Sequence, residues 1–303
     1  MNLGDGLSIA DAIAAAPDGG TVVVGAGTWN EAIDFAGRAI TVQAASGFGS
    51  GATVLDGTGL ETSIVTFAND EGAASALQGF TLQNGTTGTD DLVTGLRVGG
   101  ALFTDGTDPT IIDCVFLDNE AVQGGAVYLR GGAVTIQGCF FSGNIASDTG
   151  GALQVNGGTP TLLDTTIQLN VALNDGGGVN WIADGGLATV EGCTIIRNES
   201  ITTDSGGINA VSATTALEIS GTVVCNNEPG NLVGAFSDLG GNTLCVCLGD
   251  LDGDGQINGS DLSILLGYWG PCDPDLCLAD LDGNGLIDGG DLTLLLGFWG
   301  TCP

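Results

Sequence analysis

An internal repeat of 25 to 29 residues restricts the fold of this chain more than any other feature of the sequence. A Gly-Gly doublet recurs with this spacing, and an asparagine follows the same rhythm. The doublets begin at Gly99, Gly124, Gly150, Gly177 and Gly206, and the asparagines are Asn84, Asn119, Asn144, Asn170, Asn198 and Asn226. A unit this short cannot bury an apolar face alone, so successive units must stack around one continuous interior.

Apolar residues keep fixed places in the repeat and predict inward-facing columns. Three residues before each asparagine stand Thr81, Phe116, Phe141, Ile167, Ile195 and Val223, and eight before stand Ile111, Ile136, Leu162 and Val190 in the middle repeats. Stacked strands lie about 4.8 Å apart. Glycine and asparagine suit the turns because both tolerate left-handed backbone conformations. The pattern predicts a parallel β-helix of roughly eight or nine coils.

The N-terminal segment fits the same architecture. Ser8 is placed to cap a short helix, with Asp11 three residues on, and Pro17 ends that helix before the strand TVVV. The stretch AIAAAPDGGTVVVGAGTWNE, with the glycine and asparagine columns, resembles right-handed parallel β-helix proteins of the pectate-lyase-like superfamily. The resemblance covers roughly residues 8 to 245 and implies an all-β solenoid with an N-terminal capping helix. The resemblance does not indicate a function, because lyases, hydrolases, esterases, adhesins and inert surface proteins share this fold.

Composition changes near Cys245, which predicts two domains, a β-helix over 1–245 and a small module over 246–303. The module contains DLDGDGQINGSD at 250–261 and DLDGNGLIDGGD at 280–291, each followed by an apolar run. Oxygen donors at positions 1, 3, 5, 9 and 12, a main-chain carbonyl at 7 and glycine at 6 are typical of calcium loops. The predicted ligands are Asp250, Asp252, Asp254, Gln256, Asn258 and Asp261, then Asp280, Asp282, Asn284, Leu286, Asp288 and Asp291, with Gln256 and Leu286 acting through their carbonyls. We expect two Ca²⁺ ions that help the module to fold.

The module resembles the dockerin family, because position 12 is aspartate and a single helix follows each loop. Dockerins bind cohesin domains through their helices and mount polysaccharide-degrading enzymes on scaffolds. The family's recognition positions are occupied here by Gly259, Ser260, Gly289 and Gly290 in the loops and by Leu266, Gly267, Leu296 and Gly297 in place of basic residues. The resemblance therefore implies calcium binding but no standard cohesin partner.

Four aromatic residues end the two apolar runs of the module. They are Tyr268, Trp269, Phe298 and Trp299. Apolar helix faces of this kind favour packing on each other or on the β-helix, and we predict that these aromatic side chains belong to a core.

The nine cysteines divide into two groups by position. Cys114, Cys139 and Cys193 each lie five residues before an asparagine of the repeat, and we expect them inside as reduced, small apolar side chains. The others flank the calcium loops or the end of the β-helix. Pseudo-twofold packing of the module favours the pairs Cys247 with Cys302, Cys272 with Cys277 and, by remainder, Cys225 with Cys245. Disulfides indicate an oxidising, extracellular compartment.

Charge and composition exclude several partners. The chain carries 36 carboxylates against four basic residues, Arg38, Arg97, Arg130 and Arg197, for a net charge of −32. Such a chain repels nucleic acid and anionic lipid unless calcium bridges them. No apolar run is long enough to insert into a membrane. The N-terminus has no signal-peptide pattern, so we expect a mature secreted bacterial protein whose leader was removed.

Catalysis is disfavoured by what the sequence lacks. Without histidine or lysine, serine and cysteine triads and Schiff-base chemistry are excluded. Paired carboxylates, or arginine as base beside calcium, remain possible for a polysaccharide hydrolase or lyase. The nearest doublet, Asp90 with Asp91, is interpreted more simply as a solvated loop, and the arginines occupy different places in the coil. No catalytic residue is assigned.

The sequence thus predicts a secreted or cell-surface calcium-binding β-helix protein with a binding or structural role. Its module would attach to a cohesin-like or cell-surface protein, and its long face would present loops to polysaccharide. Two alternatives stay open: a polysaccharide lyase or hydrolase anchored by its dockerin-like module, and a self-associating filament subunit. Acids and arginine clustered on one face would favour the enzyme, and exposed strand edges at the last coil would favour the filament.

Overall fold

The computed structural model describes residues 7–45, 53–86, 88–90, 95–182, 186–202, 205–211, 217–244, 249–251, 256–272, 279–282 and 284–301. The predicted N-terminal cap is confirmed. Helix α1 (Ile9–Ala15) buries Ile9 and Ile13 against the first coil, and Ser8 Oγ accepts a 3.0 Å hydrogen bond from the Asp11 N–H. Among the described residues, no helix has the length and apolar character needed to cross a bilayer.

Each coil passes in turn through three parallel sheets, which we call A, B and C. Within the described residues, sheet A comprises Thr21–Val24, Thr41–Ala44, Ala76–Gln78, Thr110–Ile112, Thr135–Gln137, Thr161–Leu163, Ala188–Glu191, Leu217–Ser220 and Ser237–Asp238. Sheet B comprises Gly27–Trp29, Thr53–Asp56, Thr81–Gln83, Val115–Leu117, Phe140–Ser142, Thr166–Gln168, Thr194–Ile196, Val223–Cys225 and Thr243–Leu244. Sheet C comprises Ile33–Asp34, Val65–Phe67, Leu102–Asp105, Val127–Arg130, Leu153–Asn156, Val179–Ile182, Ile208–Val211 and Leu232–Gly234.

Two smaller pairings complete the coils between sheets B and C. A short parallel sheet contains Glu120–Ala121, Ile145–Ala146, Val171–Ala172 and Glu199–Ser200. Thr89–Asp90 pairs antiparallel with Arg97–Val98 in an earlier coil. Asp90 therefore lies in a strand of this pair, and Asp91 lies outside the described residues.

The predicted interior columns are confirmed in the middle coils and shifted by one residue at both ends. The rings of Phe116 and Phe141 stack with centroids 4.4 Å apart. Buried with them are Ile167 and Ile195 in sheet B and Ile111, Ile136, Leu162 and Val190 in sheet A. Thr81 and Val223 are only half-buried, because strand register places Leu82 and Val224 in the column.

A ladder of buried asparagines links the coils at the corner after sheet B. It consists of Asn119, Asn144, Asn170, Asn198 and Asn227. The Asn144 amide shows the pattern: its Nδ2 donates to Asn170 Oδ1 at 2.8 Å and to Phe116 O at 3.0 Å. Its Oδ1 accepts from both nitrogens of Asn119, at 2.9 and 3.1 Å. One side chain therefore holds three coils in register.

The prediction that Asn84 and Asn226 belong to this ladder is wrong. Register places Gly85 and Asn227 in the ladder, and Asn84 and Asn226 one residue earlier. The left-handed backbone is also found at that earlier position, with φ of 57° and 54°, and not at the ladder asparagines.

The glycine doublets carry the close approach between coils. The first glycine has positive φ at 99, 124, 150 and 176, so the doublet predicted at 177 begins one residue earlier. A Cβ on the second glycine would collide with the next coil, as at Gly125, where it would lie 2.3 Å from Gly151 O. Only glycine fits there.

Three of the cysteines lie inside as predicted, with free thiols. Cys114, Cys139 and Cys193 are buried, and Thr165 takes the equivalent place in an intervening coil, where its Oγ1 accepts the Cys139 N–H at 3.3 Å. Burial raises the pKa of the Cys193 thiol to about 11 and that of Cys139 well above its usual value. In the six-cysteine set, Cys245, Cys247, Cys277 and Cys302 lie outside the described residues, so the disulfide pairing stays a prediction.

Removal of one ladder amide should destabilise the whole β-helix. Asn144→Ala removes four buried hydrogen bonds, two from the Asn119 nitrogens and one each to Phe116 O and Asn170 Oδ1. Each lost hydrogen bond costs about 1 kcal/mol, and the buried Asn119 N–H, which loses its acceptor, costs roughly 1–3 kcal/mol. We expect the free energy of unfolding in urea to fall by about 3 kcal/mol or more. Gln137→Ala is the control, because Gln137 is an exposed amide on sheet A. An equal effect from both substitutions would contradict a special role for the ladder.

The interior thiols should resist alkylation while the chain is folded. Burial excludes reagent from all three thiols, and the raised pKa values of Cys139 and Cys193 also keep those two neutral at pH 8, so iodoacetamide should leave Cys114, Cys139 and Cys193 unmodified. In guanidinium all three should react within minutes. Peptide mass spectrometry of both samples makes the test, and modification of Cys193 in the folded chain at pH 8 would contradict it.

Candidate metal centre

Two loop-helix units form the C-terminal module. Helix α2 spans Gly259–Gly267 and helix α3 spans Gly289–Gly297. Each begins with a capping box, in which Asn258 or Asp288 caps the helix and the aspartate three residues later binds back to the cap N–H. Positions 9 and 12 of each predicted calcium loop are therefore fixed by the start of a helix.

The second loop gathers three of its predicted ligands. One carboxylate oxygen from each of Asp280, Asp282 and Asp291 lies within 4.8 Å of the other two. Asp280 and Asp291 are buried, with 2% and 0% of their surface exposed, whereas Asp282 is exposed. Burial of two carboxylates beside a third is unfavourable without a compensating positive charge.

Main-chain N–H groups orient these carboxylates. Asp291 Oδ1 accepts from the N–H groups of Leu281 and Asp282 at 2.5 and 3.1 Å, and its Oδ2 accepts from Asp288 at 2.7 Å. Asp280 Oδ2 accepts from the Gly285 N–H at 2.9 Å. Gly285 has φ of +84°, so the predicted sharp turn at position 6 is present.

The remaining predicted ligands of this loop lie around the same turn. Asn284 Oδ1 accepts from the Leu286 N–H at 2.8 Å, and Asp288 Oδ1 accepts from the Gly290 N–H at 2.7 Å. Both side-chain oxygens are thus engaged with main chain. Of the carboxylates in this loop, Asp288 is not among the three whose oxygens lie within 4.8 Å of one another.

The first loop repeats the described part of this arrangement. Asp250 and Asp261 are buried, and Asp261 accepts the N–H groups of Leu251 and Asn258 at 2.7 and 2.8 Å. Gln256 begins a two-residue strand at position 7. Asp252 and Asp254, the predicted ligands at positions 3 and 5, lie outside the described residues.

The two units pack about a pseudo-twofold axis. Gln256–Ile257 in the first loop pairs antiparallel with Gly300–Thr301 after the second helix, and Leu286–Ile287 pairs with Gly270–Pro271. The start of one unit therefore lies at the end of the other, as the repeat predicted. The core between them consists of Ile257, Leu265, Ala279, Leu281, Ile287 and Leu295.

The aromatic residues are not part of that core, and this prediction is wrong. Tyr268, Trp269, Phe298 and Trp299 keep 63%, 49%, 51% and 48% of their surface exposed. They follow the last helical turn, where Tyr268 and Phe298 form the C-caps, so they leave the buried side of each helix.

The second loop also contacts the β-helix. A cleft of about 160 Å³ is lined on one side by Leu169, Arg197, Asn198, Glu199, Asn226 and Glu228 and on the other by Asp280, Leu281 and Asp282. Arg197 Nη1 lies 3.5 Å from Asp280 Oδ2, and its Nη2 donates to the Asp280 main-chain oxygen. Burial lowers the pKa of Arg197, while Asp280, Asp291 and Asp282 oppose that shift.

Sequence reasoning did not anticipate this contact. In the sequence the arginines occupy different places in the repeat, and residues 83 positions apart give no local signal of a contact. The available hint is charge, because a basic residue is rare in this chain and stands directly before a ladder asparagine.

The donor chemistry of the second loop fits a hard cation. Its clustered ligands are carboxylate oxygens on a helix-anchored turn, and oxygen ligands are what calcium and magnesium prefer. Neither nitrogen nor sulfur donors belong to this cluster, which disfavours zinc or copper.

Comparison with known proteins bears on the β-helix alone. No curated protein and no solved structure gave a significant match to the chain. The family model described as "Right handed beta helix region" matches residues 49–244, which is most of the chain and includes every described coil strand after Thr41–Ala44. The chain therefore belongs to the right-handed β-helix family.

Proposed function

We propose that this protein is a secreted or cell-surface calcium-binding β-helix protein with a binding or structural role. The C-terminal module attaches it to a partner, and the β-helix is a rigid body that presents its faces and turns. The observation that carries the proposal is the carboxylate cluster of Asp280, Asp282 and Asp291 at the start of a capped helix. The module contains two such loop-helix units, each with a capping box.

In the second loop, Asp280, Asp282, Asn284, Asp288, Asp291 and the Leu286 carbonyl would hold the ion. In the first, the corresponding residues are Asp250, Asp252, Asp254, Gln256 by its carbonyl, Asn258 and Asp261. Bound calcium supplies two positive charges, which offset the mutual repulsion of the carboxylates and stabilise the loops. The chain's own contribution is orientation: N–H groups of the loop and of the helix start hold Asp280 and Asp291 before an ion arrives.

Exposed apolar side chains support an attachment role for the module. Leu266, Tyr268 and Trp269 are each matched thirty residues later by Leu296, Phe298 and Trp299, and all six are about half exposed or more. Large apolar groups repeated on one small module are typical of protein-binding surfaces. A cohesin-like or other cell-surface protein is the proposed partner class, and extracellular placement follows from the predicted disulfides.

The arginines support binding over catalysis. Arg38 pairs with Asp18 at 3.2 Å, Arg130 pairs with Asp105 and lies over the Phe103 ring, and Arg197 pairs with Asp280. These three pairs lie on separate parts of the molecule. These three ion pairs therefore do not form the cluster of acids and arginine on one β-helix face that a lyase or hydrolase site would need.

Calorimetry of metal-free protein with calcium tests the proposal. We expect two ions per chain, with dissociation constants in or below the range of about 10⁻⁷–10⁻⁵ M that is common for sensor loops. A variant carrying Asp252→Ala and Asp282→Ala loses a predicted ligand from each loop and should lose both binding events.

The matched control carries Glu120→Ala and Glu191→Ala, which remove two exposed carboxylates from the β-helix. It should bind both ions like the wild type. Absence of binding to the wild-type chain, or equal weakening in the control, would refute a calcium module.

Self-association through the last coil is a second candidate function. The final strands Leu232–Gly234, Ser237–Asp238 and Thr243–Leu244 each pair with a preceding strand on one side within the described residues. Val233 and Leu239 nearby are 39% and 57% exposed. An exposed strand edge beside apolar side chains is a template for another chain.

Sedimentation velocity at several protein concentrations tests this second candidate. If the last coil drives association, the sedimentation coefficient should rise with concentration, and Val233→Lys should abolish the rise because edge lysines oppose strand pairing. Glu191→Lys, a charge change on the lateral surface, is the control. Monomers at all concentrations would rule out the filament role.

A further inference from the structure

Arg197 lies in a column of the β-helix turns that holds a different residue type in several coils. The equivalent positions carry Asp118, Gly143, Leu169 and Asn226, all with positive φ like Arg197 at 55°. This column is the place where the β-helix meets the module, since Leu169, Arg197 and Asn226 line the shared cleft.

Arg197 acts on the second loop through one carboxylate. Its guanidinium reaches both the side chain and the main-chain oxygen of Asp280, which is position 1 of the loop. The side chains of Arg197 and Asp280 are 17% and 2% exposed, so solvent screens this pair weakly. Asp282 and Asp291 lie close enough to add to the attraction.

Few basic residues are available to offset the negative charge of the second loop. The chain has four basic residues, and Arg38 and Arg130 are paired with Asp18 and Asp105. Arg97 lies beside the Glu61 carbonyl. The guanidinium of Arg197 therefore provides, from the β-helix, the positive charge that faces the carboxylate cluster.

We propose that Arg197 couples calcium binding in the second loop to docking of the module on the β-helix, so that each opposes the other. The inference rests on the calcium role proposed above. A cation bound by Asp280, Asp282 and Asp291 competes with Arg197 for the Asp280 carboxylate and repels its charge. Coupling between two binding events is reciprocal, so docking weakens calcium binding and calcium weakens docking by the same factor.

This coupling makes the two calcium loops unequal despite their similar sequences. The second loop carries the tethered cation and binds calcium more weakly, so it fills after the first loop. Filling of the second loop then loosens the cleft and frees the face of the module that contains Leu281 and the loop main chain. Calcium concentration thereby sets the orientation of the module relative to the β-helix.

Calorimetry in a background that isolates the second loop tests the coupling. Asp252→Ala removes a predicted ligand from the first loop, and calcium affinity is then compared with and without Arg197→Gln. We expect Arg197→Gln to tighten calcium binding by roughly tenfold, the order that one nearby charge produces at a partly screened site. Arg197→Lys keeps the charge and should tighten it by less than Arg197→Gln.

Arg130→Gln is the matched control, since it removes one arginine from an ion pair on sheet C, and Arg130 is not among the residues that line the shared cleft. It should change calcium affinity by less than twofold. Unchanged or weaker binding in Arg197→Gln overturns the coupling while leaving the calcium module intact. Absence of calcium binding in the wild-type chain overturns both proposals.

Small-angle X-ray scattering of the full chain tests the reciprocal effect. Calcium should increase the radius of gyration of the wild type, and Arg197→Gln should show the larger radius already in chelator. A wild-type profile that is the same with calcium and with chelator, under conditions where calorimetry shows both loops filled, overturns the coupling.

Discussion

The amide of each ladder asparagine is satisfied only when the coils on both sides follow the same path. Asn144 donates to one neighbouring coil through Phe116 O and to the other through Asn170 Oδ1, and it accepts from Asn119. All of these groups are buried, so a slip of one residue would leave several polar atoms without partners, at about 1–3 kcal/mol each. The ladder therefore fixes the register of sheets B and C on either side of it, and the inward columns follow from that register.

The same constraint explains which parts of the fold were predictable from sequence. In the middle coils the asparagine and the apolar residues recur at constant offsets, so Phe116, Phe141 and Ile167 were placed correctly. At the ends of the β-helix, Asn84 and Asn226 lie one residue before the ladder position. Pairing with the neighbouring strand sets this register. Spacing between like residues cannot reveal such a shift, because hydrogen bonding to the adjacent coil determines it.

The candidate site was predictable to a similar degree, for a different reason. The twelve-residue loop is local, and the capping boxes and the glycine turn bring Asp280 and Asp291 to the helix start as the pattern indicates. The aromatic residues were misplaced because periodicity alone does not show where a nine-residue helix ends. Trp269 and Trp299 lie beyond that end, and exposure follows from the chain direction after the C-cap rather than from hydrophobicity.

Buried carboxylates are the main electrostatic cost in a chain with 36 acids and four bases. The structure meets most of that cost with main-chain N–H groups, as at Asp261 and Asp291 in the capping boxes. At the surface, the Thr58 hydroxyl and then its main-chain N–H donate to Asp56 and, opposed by partial burial, hold the pKa of Asp56 below its usual value. Local N–H donors require no basic residue, which is why so acidic a chain can fold with so few arginines.

Arg197 departs from this pattern, because it is a basic residue paired with a buried carboxylate, that of Asp280. Its position follows from the turn geometry of the β-helix. The left-handed conformation costs a residue with a side chain roughly 1–2 kcal/mol, so asparagine, aspartate or glycine is the expected occupant. Arginine at φ of 55° gains nothing from the turn itself. Its contact with Asp280, across the cleft, makes the register of one coil a determinant of the electrostatic field at the second loop.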